Sequence, residues 1–110
     1  MLRKVNLKEA VNSACAMSSY EKVGGLNDLN LNVFTLEEKT TEYHCHPQSD
    51  EMLYVIEGSF YLETEDRFIK LDEGEFIVVP KGTDHRLIAK DLVKYLVIRI
   101  DTPTMGAPLA

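Results

Sequence analysis

From Leu29 onward the chain alternates with a period of two. "LNLNVFTL" places Leu29, Leu31 and Val33 on one side before losing phase near Phe34, which predicts a strand. Short β-rich runs follow: "MLYVI", "SFYLETE", "RFIKL", "FIVV", "HRLIA" and "VKYLVIRI". Between them lie Gly58, a tight reversal at Asp66-Arg67, the turn "LDEGE" and the turn "PKGTD". Seven or eight strands at this spacing predict an all-β sandwich or barrel, with its core over about 29–101. Upstream, "NLKEAVNSA" reads as a short helical segment, with Asn6 as N-cap and Glu9 three residues later. "EKVGGLNDL" breaks it with a Gly pair. The tail "DTPTMGAPLA" carries two prolines and a glycine, so 102–110 is expected to be irregular or draped over a neighbour.

With 110 residues this pattern fits one domain, 1–110, that buries a core without disulfide staples. A net charge of −6, with the basic residues scattered, argues against nucleic-acid and anionic-membrane partners. No apolar run is long enough to span a bilayer and no signal peptide opens the chain, so a cytoplasmic location is expected. Cys15 and Cys45 form neither a C-x-x-C pair nor a disulfide framework.

All three histidines fall in two glycine-punctuated segments. His44 and His46 are two apart, so on a strand both imidazoles face one side. Cys45, out of phase, is expected to turn away and pack as a buried residue. Glu51 opens the next β-run, sharing its face with Leu53 and Val55, where a carboxylate needs a compensating cation or donor. His85 follows the Pro80-x-Gly82 turn, whose φ restrictions set its direction. An isolated H-x-H is ordinarily two solvated histidines. Three imidazoles and a carboxylate in phase instead suit one divalent transition metal such as Fe, Mn, Ni or Zn.

The run H-x-H-x4-E-x6-G at His44, His46, Glu51 and Gly58 resembles the first motif of the cupins. The run G-x5-P-x-G-x2-H at Gly74, Pro80, Gly82 and His85 resembles their second. Two positions depart from the family pattern: Glu38 stands where the first motif usually opens on glycine, and Ala89 where the second ends on asparagine. The resemblance implies a small jelly-roll β-barrel, a metal held by His44, His46, Glu51 and His85 inside one end, a pocket at the mouth, and pairing as a homodimer. It further implies action on a small polar metabolite, as a metal-dependent oxygenase, isomerase or lyase. The alternative is a non-catalytic cupin that binds or senses a small molecule through its metal. Glu42, in phase with His44 and His46, and Tyr54 and Tyr61, on strands expected near the site, are candidate substrate contacts. Leu53, Val55, Leu87 and Ala89 share the ligand phase and predict an apolar pocket.

Overall fold

The structure, a computed structural model, describes residues 2–13 and 20–100. Cys15 and the tail 102–110 lie outside the described residues. Among the described residues one helix, α1 (Leu7–Ser13), precedes nine strands: β1 (Tyr20–Leu26), β2 (Leu29–Leu36), β3 (Lys39–Thr40), β4 (Glu51–Glu57), β5 (Ser59–Glu63), β6 (Phe68–Asp72), β7 (Phe76–Val79), β8 (Arg86–Ala89) and β9 (Val93–Arg99). α1 is capped as expected, its Glu9 amide donating to Asn6 Oδ1 at 3.0 Å.

The strands form two antiparallel sheets, ordered β1-β2-β9-β4-β7 and β3-β8-β5-β6. Their inner faces enclose one core, which includes Phe34, Leu53, Val55, Phe60, Leu62, Leu87, Val93, Tyr95 and Val97. This is the small jelly-roll barrel that the motif resemblance implies, built from the strands that the period-two pattern predicts. Alternation on β4 sends Glu51, Leu53 and Val55 inward. Alternation on β9 does the same for Val93, Tyr95, Val97 and Arg99.

The glycine pair read as a helix breaker lies instead within β1. Gly24 and Gly25 pair with Leu31 and Asn30, beside a register shift between Lys22 and Gly24. Glycine is tolerated there because β1 is an edge strand with a bulge. Asn27, at φ 53°, turns the hairpin in two residues. α1 closes the outer face of this sheet, with Val11 packed among Val23, Val33, Ile56 and Leu96. Among the described residues, no helix is long and apolar enough to cross a membrane.

Gly58 links β4 to β5 at φ 88°. A Cβ there would stand 2.5 Å from the Leu92 carbonyl oxygen, so both conformation and space require glycine.

Candidate metal centre

The backbone brings the two histidine segments together. His44 and His85 form an isolated antiparallel bridge, exchanging both hydrogen bonds: His44 N to His85 O at 3.0 Å and His85 N to His44 O at 2.9 Å. Residues paired this way project their side chains to the same side, and the two rings lie 4.5 Å apart between centroids. The Pro80–Gly82 turn adds a third tie, with Gly82 N donating to His46 O at 3.1 Å. The imidazoles of His44, His46 and His85 converge so that one nitrogen from each lies within 4.8 Å of the others.

The tautomers follow from the carbonyls around the rings. His44 Nδ1 donates to Glu42 O at 2.7 Å, and His85 Nδ1 to Thr83 O at 2.9 Å. Both protons are thereby placed on Nδ1, which puts the lone pairs on Nε2. Burial pushes the His44 pKa below its ordinary value; the Glu42 carbonyl opposes this, and the neighbouring His85 and His46 rings add to the lowering. A neutral imidazole is the form a metal requires.

Glu51 lies at the inner edge of the three rings, almost fully buried. Its Oε1 stands 3.1 Å from His85 Nε2, and its Oε2 stands 3.3 Å from His46 Nε2. Oε2 also accepts from Arg99 at 2.5 Å, and Arg99 Nη1 lies 3.3 Å from His46 Nε2. Burial alone would raise the Glu51 pKa. The His46 and His85 rings and the Arg99 charge outweigh it and hold the carboxyl at about 2. Oε1 is buried and, among the described residues, accepts no aligned hydrogen bond. Three converging imidazoles with a buried carboxylate oxygen at their inner edge are a donor set that fits a first-row divalent cation.

Comparison with known proteins places this geometry in a family. A model described as "Cupin domain" matches residues 32–99. The chain belongs to the cupin domain family. The cupin is 32% identical over 89 residues to the uncharacterized protein YdbB of Bacillus subtilis, covering 78% of this chain and 76% of that one. It is also 32% identical over 80 residues to acireductone dioxygenase 4 of rice, covering 64% of this chain but only 44% of that protein. Among solved structures, a cupin-2 domain protein from Shewanella frigidimarina superposes with a TM-score of 0.83 at 27% identity, covering 88% of this chain and 94% of that one.

The other expected site residues lie elsewhere in the cupin. Tyr54 is on the opposite face of β4 from Glu51, packed on the cluster beneath α1. Tyr61 faces outward on β5, stacked on Phe68 with Lys90 over its ring. Neither joins the centre, because each is one residue out of phase with the inward set. The Glu42 side chain is exposed, and Glu42 reaches the centre through its carbonyl. Cys45 corrects a second expectation. It does turn away from the rings, but it is exposed rather than buried. It lies outside the named strands, where the pairing slips by one residue between Thr40↔Ile88 and His44↔His85. Its neighbour Tyr43 is also exposed, so among the described residues no packed layer lies behind this stretch as α1 lies behind the other sheet.

Arg99 is the residue beside the centre that sequence reading missed, in contact with Glu51 and His46. The signal was present: "VKYLVIRI" puts Arg99 in the inward phase with Val93, Tyr95 and Val97. The Met52↔Ile98 register places it beside Glu51.

Proposed function

We propose that this cupin holds one divalent transition metal (Fe, Mn, Ni or Zn) through His44, His46, His85 and Glu51, and acts on a small, oxygen-rich polar molecule there. The reading rests on one observation: three imidazoles converge while two backbone carbonyls hold the Nδ1 protons of His44 and His85. When bound, the metal would polarise a substrate oxygen or, if iron, support oxygen chemistry. The chain's own residues do the rest. The Glu42 and Thr83 carbonyls orient the rings, Glu51 supplies charge, and Leu53, Val55, Leu87 and Ala89 keep the adjoining core dry. Likeness to a protein named acireductone dioxygenase supports an enzyme of oxygenase type, with isomerase and lyase chemistry open to the same centre.

The second reading is a binding or sensing cupin. The apolar inward face favours it, because Leu53, Val55, Leu87 and Ala89 offer no acid or base. The two separate by experiment. Metal-loaded protein is given small oxygen-rich acids while oxygen uptake, product formation and heat of binding are followed. Turnover lost in His46→Ala supports the enzyme. Saturable binding without turnover supports the sensor. Neither response sinks both.

We also propose pairing with a second copy. Phe76, Val78 and Ile100 are exposed on the outer face of the first sheet, beside a groove of about 490 Å³ lined by Leu29, Met52 and Ile98. Sedimentation would report a dimer that Val78→Lys converts to monomer. A monomeric wild type would refute it.

A further inference from the structure

The carboxylate of Glu51 is already partnered by a cation of the chain itself. Arg99 is almost fully buried, on the inward face of β9, one residue beyond the Met52↔Ile98 pair that sets the β4–β9 register beside Glu51. Its Nη1 reaches both Glu51 Oε2 at 2.5 Å and His46 Nε2 at 3.3 Å. Two of the four groups that would hold a metal are therefore also within reach of a guanidinium. A buried carboxylate without a counter-ion is strongly disfavoured. Arg99 removes that penalty in the metal-free protein.

We propose that Arg99 is the resident counter-ion of Glu51 and a positioning residue for the metal, resting on the reading that these histidines and Glu51 form a metal site. Two consequences follow. Arg99 keeps the centre folded and organised before any metal arrives, and it retains Oε2 so that Glu51 offers only Oε1. Both are obtained at the expense of affinity, since a divalent cation entering beside a fixed guanidinium is repelled by it and competes with it for Glu51. The site is thereby tuned to bind metal more weakly than its donor set allows, with Glu51 restricted to one oxygen.

The test is a Co(II) titration of the full chain, followed by its visible spectrum, for wild type, Arg99→Met, Arg99→Gln, Arg99→Lys and His46→Ala. Arg99→Met is expected to bind Co(II) at least ~10-fold more tightly than wild type, with a changed visible band as Glu51 gains its second oxygen. Arg99→Gln, which keeps a donor to Glu51 while removing the charge, shows the same direction and serves if Arg99→Met does not fold. Arg99→Lys, which keeps the charge, stays within about threefold of wild type. Equal or weaker Co(II) binding by both neutral variants, with wild type still binding one ion that His46→Ala loses, overturns the role of Arg99 and leaves the metal site standing. No Co(II) bound by wild type or by any Arg99 variant overturns both.

Discussion

Replacing Glu51 with Gln keeps the shape of the side chain and removes its charge, which isolates what the carboxylate contributes. The magnitude follows by two routes. The Glu51 pKa falls from 4.5 to about 2 on folding, and that shift converts to on the order of 3 kcal/mol of stability near neutral pH. Breaking a buried ion pair by removing one partner costs about 3–5 kcal/mol independently, and here the partner left behind is the buried Arg99. Metal-free Glu51→Gln is therefore expected to be less stable than metal-free wild type by about 3 kcal/mol, read by urea denaturation followed by circular dichroism. The pH dependence adds a sharper check. A depressed carboxylate pKa contributes stability that is complete above its unfolded value of 4.5 and is lost as pH falls through about 2. The gap between the two proteins should therefore be constant above ~pH 5 and shrink by more than half by ~pH 3. A gap below about 1 kcal/mol near neutral pH, or one that does not narrow with acid, would refute the assignment of Glu51 as a stabilising buried anion.

Gly58→Ala combines a φ of 88° with a Cβ 2.5 Å from the Leu92 carbonyl, and should lower stability by about 2–3 kcal/mol in thermal or urea melts. Gly74→Ala, at φ 85° but in open space, should cost only about 1 kcal/mol, and equal effects would refute the close-approach argument. Cys45, being exposed, should react with a thiol reagent in the folded state, and Cys45→Ser should leave metal content unchanged. Loss of metal in that variant would make the thiol a ligand. Lowering the pH from about 7 to about 5 should weaken metal binding, as protons compete for imidazoles. His44 is held neutral by burial, so its stability contribution is complete above its unfolded value of 6.5 and is lost as pH falls below it. A Zn(II) affinity independent of pH over that range would exclude the histidines.

The barrel was legible in the chain because strand alternation has a period of two and turn residues punctuate it. Leu53, Val55, Leu87 and Ala89 were assigned inward and are buried. The three histidines were legible for the same reason, with the Pro80–Gly82 turn adding direction to His85. What was hidden depended on which layers cover which sheet. β1 was obscured by glycines that an edge strand with a bulge tolerates. Cys45 was expected to be buried because alternation says where a side chain turns, not whether anything packs there. Tyr54 and Tyr61 were drawn in by proximity along the strand although their phase pointed outward. Arg99 was missed because its partner on β4 is set by the β4–β9 register, 48 positions away along the chain.

The central claim is that His44, His46, His85 and Glu51 form one metal site, and equilibrium dialysis against a divalent metal, read by elemental analysis, tests it most directly. Wild type should retain one ion per chain and His46→Ala none, with the variant still folded by circular dichroism. Wild type that retains no metal, or a folded His46→Ala that retains as much as wild type, would contradict the account.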